Sequence, residues 1–167
     1  MKTLLRTLPL LALLALALPA RADVDATTRR HVGAALGHYE TIRDALANDR
    51  GAPVTAAARQ LAQASRAALH TASGNAQASL RALAPAADRL ARTDAGDLAA
   101  LRRAFGEVSR HLVTLLEAEP ALARGKHLFH CPMAQGYGRW IQDDDSIANP
   151  YMGQRMLMCG APVEWGS

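Results

Sequence analysis

The chain has 167 residues, 19 of them Lys or Arg and 15 Asp or Glu, with two cysteines and half of all positions hydrophobic. Lys2, Arg6 and Arg21 all precede Asp23, which leaves 16 basic residues against the same 15 acidic ones in the remainder. A chain so near neutrality, with no basic stripe or interleaved aromatics, is not a nucleic-acid binder, and two cysteines are too few for a small disulfide-stapled scaffold.

Residues 1–22 read as a cleaved export signal. Lys2 and Arg6 form the charged start, Leu8 to Leu18 the apolar run, and Ala20-Arg21-Ala22 a small-residue cleavage site. The run is shorter than the ~20 apolar residues that span a bilayer, and no later stretch reaches that length. The expectation is cleavage before Asp23, export to a bacterial periplasm and no membrane span afterwards. Residues 23–167 then make one domain, in which a helical part (23–119) gives way near Glu119-Pro120 to a tail (120–167) of different composition.

Four amphipathic helices are expected in the first part. Val32, Leu36, Tyr39, Ile42 and Leu46 recur at steps of three and four, which places a helix over about Thr27 to Asn48 with Asp25 or Thr27 as its cap. Gly51-Ala52-Pro53 breaks the pattern, and Pro53 suits the first turn of a second helix that turns Val54, Ala58, Leu61, Ala68 and Leu69 inward, with Ser65 on the same face. A third helix carries Leu80, Leu83, Ala87 and Leu90, and Pro85 is expected to kink or split it. The fourth, from about Asp97 to Glu117, has the stripe Leu98, Leu101, Phe105, Val108, Leu112 and Leu115. Short connections argue for an antiparallel up-and-down four-helix bundle, mainly α, followed by a small irregular α+β tail rich in Cys and Met. The stripes suggest that the helical part has a core of its own. The scattered arginines read as a solvated face.

In the tail, Lys126 to Cys131 reads as a short strand ended by Pro132. Asn149-Pro150 looks like a helix start, and a helix over Pro150 to Cys159 would bring Met152, Met156 and Cys159 onto one face with Gly160 as its C-cap.

Chemistry concentrates in the same segment. Apart from Met1, every sulfur lies there: Cys131, Met133, Met152, Met156, Met158 and Cys159, with His127 and His130 just upstream. Thiolates and thioethers are soft ligands that select Cu(I) or Ag(I) over hard cations. Cys131-x-Met133 and Met156-x-x-Cys159 together supply two thiols and two thioethers, with His130 as a nitrogen donor and His127, Met152 and Met158 as further candidates. Zinc is disfavoured, because the paired spacings of structural zinc sites are missing.

The stretch His130-Cys131-Pro132-Met133-Ala134, then Trp140, then Ile147-Ala148-Asn149-Pro150-Tyr151-x-Gly153-x-x-Met156-Leu157-x-Cys159-Gly160-x-x-Val163 resembles the C-terminal signature of a family of exported bacterial domains of unknown function. Its members occur alone or fused to periplasmic adaptor subunits of heavy-metal efflux pumps of the copper/silver type. The resemblance implies copper(I) or silver(I) handling, contribution to metal tolerance, and a periplasmic efflux adaptor or other metal-handling protein as partner. The positions that carry it are Cys131, Met133, Asn149, Pro150, Tyr151, Gly153, Met156 and Cys159; Met152 and Met158 fall outside that pattern.

A plainer reading stands beside the metal. In an oxidising compartment Cys131 and Cys159 make an even pair and can form a disulfide, whose loop of roughly 30 residues is worth about 3–4 kcal/mol. The chain is then a disulfide-closed helical interaction module that binds no metal. Enzyme readings have little support, since there is no C-x-x-C, haem-attachment motif, nucleophile elbow or Gly-rich phosphate loop. Asp143-Asp144-Asp145 reads as a solvated loop, and His31, His38, His70 and His111 as structural or exposed.

Overall fold

The structure, a computed structural model, describes residues 24–167; the expected export signal and its cleavage point lie outside the described residues. Helices α1 (Ala26–Ala47), α2 (Ala52–Thr71), α3 (Gly74–Ala91) and α4 (Leu98–Ala118) come first. Three short strands follow, β1 (His127–His130), β2 (Arg139–Gln142) and β3 (Ala161–Pro162), joined in one antiparallel sheet of order β2-β1-β3. The protein is therefore mainly helical with a small antiparallel sheet near its C-terminus. Among the described residues no helix is long and apolar enough to cross a membrane.

The helix starts follow from local chemistry. Asp25 accepts from the backbone N–H groups of Thr27 and Thr28 at 2.8 and 3.0 Å, and Asp97 from that of Ala100 at 2.9 Å, so each satisfies donors that the first helical turn leaves free. Pro53 occupies the first turn of α2, where no N–H is needed. Ser65 is buried because its hydroxyl donates to the Leu61 carbonyl at 2.7 Å, one turn back. Of the kink or split expected at Pro85, the split does not occur: α3 runs from Gly74 through Pro85 to Ala91. Pro85 sits on the exposed side, where water replaces the hydrogen bond that its ring removes.

Each helix packs on the next in the chain, and the sheet packs on α4 and α1. The four stripes are buried with few exceptions: Leu69 and Leu98 are half-exposed. The core does not stop at the helices. Leu128, Phe129, Cys131, Trp140, Ile141 and Tyr151 from the tail belong to the same continuous hydrophobic cluster as Val32, Leu80 and Leu112, so the tail is an integral layer and not an appendage to a separate helical core.

Polar contacts fix that layer in place. Tyr39 of α1 stacks on Phe105 of α4 at 5.0 Å between ring centres, and its hydroxyl meets Ser109 Oγ at 2.7 Å while accepting from the Ile141 N–H at 3.2 Å. Ser109 and Tyr151 both donate to the Arg139 carbonyl, at 2.8 and 2.7 Å. Arg43, which is buried, donates to Glu40 and to the Ala148 carbonyl at 3.0 Å. Arg102 donates to the carbonyls of Pro150 and Leu46, both at 3.0 Å, and to Asp49. These two arginines are not the solvated side chains expected from the sequence. They clamp the tail's loop to the helices, which buries carbonyls that would otherwise lack donors.

The tail's own geometry differs from expectation at one place. No α-helix forms over Pro150 to Cys159; only Gly153–Met156 makes a 3-10 turn. Gly153 has φ +60°, a left-handed conformation that ends right-handed helix continuation. Met152, Met156 and Cys159 therefore do not line up on an α-helical face.

Candidate metal centre

Cys131 directly follows β1, and its backbone N–H donates to the Gly138 carbonyl at 2.9 Å, carrying the β1–β2 ladder one step further. On the other side of β1, the register Phe129↔Pro162 and His130↔Ala161 aligns β3 so that Gly160 and Cys159 arrive beside Cys131. Gly160 has φ +143°, and a Cβ there would lie 2.7 Å from Trp140 Cη2 and 3.1 Å from the His130 carbonyl oxygen. Only glycine lets the chain pass so close to the indole. Gly160 is thus a close-approach residue in an extended crossing, not the helix C-cap expected.

Asn149, fully buried, organises the returning loop. Its Oδ1 accepts from the N–H groups of Tyr151 and Met152 at 2.8 and 3.1 Å, its Nδ2 donates to the Cys159 carbonyl at 2.5 Å, and its own N–H reaches the Leu157 carbonyl at 2.8 Å. This is an Asx turn that also fixes Cys159, where the sequence suggested a helix start at Asn149-Pro150. The Cys159 N–H donates to the Met156 carbonyl at 3.0 Å.

Both cysteines are free thiols, and they are near enough for Cys131 to act on the titration of Cys159. Cys131 is 1% exposed and Cys159 half-buried. Burial, and after it the neighbouring Cys131, push the Cys159 thiol above its usual pKa, so an ion that takes both sulfurs must displace a proton. The rings of Phe129, Trp140, Tyr151 and Phe105 run in contact past the pair, with successive centres 5.3, 6.1 and 5.6 Å apart. Burial also holds the Tyr151 hydroxyl in its neutral form, well above the usual phenol range.

The other candidate donors are placed differently. Met133, Met156 and Met158 are exposed, Met158 the most at 66%, whereas Met152 is half-buried and packs against the core. Met133 and Met152 line one cleft beside Tyr151. His127 and His130 are exposed at the two ends of β1. Among the described residues no three His, Cys, Asp or Glu side chains come together in a group suited to a metal, so neither histidine joins the thiol pair here. Asp143, Asp144 and Asp145 are exposed, with Asp143 bonded to Lys126. What converges is a two-sulfur site flanked by thioether-bearing turns. Such a pair supports two chemistries: coordination of a soft d10 cation that accepts few ligands, or closure to a disulfide.

The clamp residues Arg43, Arg102 and Asp49 were not evident in the sequence, where they look like any other charges on helices. No protein-family model, curated protein or solved structure matches the chain.

Proposed function

We propose that the chain is a soluble periplasmic protein that binds one Cu(I) or Ag(I) between the thiolates of Cys131 and Cys159 and contributes to metal tolerance. The observation that carries this reading is the nearness of the two thiols that follows from the β1–β3 register. Soft sulfur donors favour these ions over the hard cations, and Met133, Met156, Met152 and Met158 on adjoining turns supply thioethers that can complete the coordination or take the ion in transit. His130 and His127 serve as outer donors that reach the ion only if β1's flanking turn moves. The likeness of the tail to that of efflux-associated exported domains adds a direction of delivery, to a periplasmic efflux adaptor. The up-and-down arrangement of the four helices is part of the same proposal and is supported by their short connections and sequential packing. No catalytic role is proposed.

A second reading draws on the same nearness. Cys131 is almost wholly buried within the tail's hydrophobic layer, a setting in which a disulfide to Cys159 would lock β1 to β3 and leave a module without metal. The two separate by experiment: the reduced protein is titrated with Cu(I) against a chromophoric chelator, and thiols are counted in protein alkylated directly in the periplasm. Metal retention at one ion per chain with both thiols reduced supports the first reading. A fully oxidised pair that stays oxidised when copper is supplied supports the second.

A further inference from the structure

The sulfurs of the tail fall into two sets that differ in access and in chemistry. Cys131 is 1% exposed and enclosed by the hydrophobic layer, whereas Cys159 is half-buried and open to water on one side. Carrying the register Phe129↔Pro162, His130↔Ala161 one step further sets Cys131 opposite Gly160, the chain neighbour of Cys159. Both thiols are free, and one acts on the titration of the other. Met133 stands two residues after Cys131 and Met158 immediately before Cys159. With Met156 they are the large hydrophobic side chains left exposed among the described residues, at 59%, 66% and 39%.

Two thiols that meet release two electrons when one S–S bond forms; a thioether binds Cu(I) as it stands. Sulfur donors prefer Cu(I) to harder ions, and a ligand shifts an equilibrium toward the state that it binds better, so this tail favours reduction of any Cu(II) that reaches it. Access decides which sulfur meets the ion. Cu(II) arrives at Cys159, the thiol that water reaches, and Cys131 supplies the second electron from inside the layer. Enclosure also keeps Cys131 from the thiols of other molecules, which directs closure within the chain.

We propose that the Cys131–Cys159 pair reduces Cu(II): two Cu(II) ions each accept one electron, both S–H bonds break with release of two protons to water, one Cys131–Cys159 S–S bond forms, and two Cu(I) result. Met133, Met156 and Met158 are the sulfur donors left for the product once the thiols are spent. The reaction is stoichiometric, because a reduced pair holds two electrons and no more. The inference rests on the reading of these thiols as a copper site and gives that site a second reaction, with Cu(II) as substrate where the first reading has Cu(I) as cargo.

The test adds two equivalents of copper(II) sulfate to the fully reduced chain under anaerobic conditions. Electron paramagnetic resonance follows Cu(II), and thiol titration and intact mass follow the sulfurs. The Cu(II) signal is expected to disappear, both thiols to vanish, the monomer to lose the mass of two hydrogens, and a Cu(I)-specific chelator added afterwards to recover two Cu(I) per chain. The rate constant is expected not to depend on protein concentration, as closure within one chain requires. The same chain oxidised beforehand, with no thiol to spend, is expected to leave the signal in place, and Cys159→Ser to give neither the mass change nor two Cu(I) per chain. A Cu(II) signal that persists beside two titratable thiols, products that are covalent dimers, or equal reduction by the oxidised chain would each overturn the inference. Its failure is distinct from failure of the proposed function: a reduced chain that takes Cu(I) from a chelator but leaves Cu(II) unreduced sinks this inference alone, and one that reduces Cu(II) with an internal disulfide but takes up no Cu(I) supports it and sinks the other.

Discussion

The thiol of Cys131 lies near enough to that of Cys159 to raise its pKa, although one follows the first strand of the sheet and the other precedes the last. Their meeting depends on a register of only two residue pairs between β1 and β3 and on a glycine beside Trp140. The site is therefore as stable as the tail's layer, and the first expectations concern that layer.

Gly160→Ala is expected to destabilise the protein by about 1–3 kcal/mol, the typical strain of a non-glycine residue in such a backbone conformation, with the clash against Trp140 added. The same variant should separate the two thiols. Thermal unfolding read by circular dichroism gives the first effect, and the rate of disulfide closure under mild oxidation gives the second; an unchanged melting temperature would show that the crossing at Trp140 is loose.

Tyr39→Phe keeps the stack on Phe105 but removes the hydroxyl that accepts from the Ile141 N–H and meets Ser109. The buried Ile141 N–H then lacks a partner, at a cost of about 1–3 kcal/mol. Chemical denaturation of parent and variant measures it. A variant as stable as the parent would mean that the α1–α4–β2 seam is held by packing alone.

The helical stripes were legible in the sequence because periodicity and caps are local signals. Val32, Leu36, Tyr39, Ile42 and Leu46 are all buried, and Asp25, Pro53 and Asp97 stand at helix starts as read. The tail was harder to read. β1 was visible as a short strand ended by Pro132, but its two partners are four and two residues long, and pairing between short distant strands leaves no mark in either one. Pro150 to Cys159 carried a helical spacing of sulfurs, yet Gly153's left-handed conformation and the Asn149 turn decided its shape. Arg43 and Arg102 looked like surface charge because only the tertiary fold brings carbonyls to them. Of the candidate site, the convergence of the two cysteines was foreseeable as a disulfide or ligand pair, whereas the exposure of Met133 and Met158 depends on turns that no spacing encodes.

Burial pushes the Glu40 carboxyl above its usual range, with the Arg43 guanidinium opposing the shift and Asp143 and Asp144 adding to it. One of its oxygens, Oε2, is buried without a hydrogen-bond partner. A raised folded-state pKa contributes stability that is complete below the unfolded value near 4.5 and is lost as pH rises through the folded value. Glu40→Gln lacks that loss. Its melting temperature relative to the parent is therefore expected to rise between pH 4 and pH 7, and a difference that does not change with pH would contradict the assignment.

Met133→Leu and Met156→Leu conserve volume and apolarity, so each is expected to change stability by less than about 1.5 kcal/mol. On the proposed function, one or both weaken Cu(I) binding because a thioether donor is lost. Competition against a chelator, run beside thermal unfolding, separates the two effects. Unaltered affinity in the double variant would restrict the site to the two cysteines.

The most direct measurement is the Cu(I) stoichiometry and affinity of the reduced protein, by chelator competition with native mass spectrometry, for the parent and for the Cys131→Ser/Cys159→Ser double variant. The expected result is one Cu(I) per chain in the parent and none retained by the variant under the same competition. Equal retention by the variant, or failure of the reduced parent to take copper from the chelator, would contradict the proposed thiolate site.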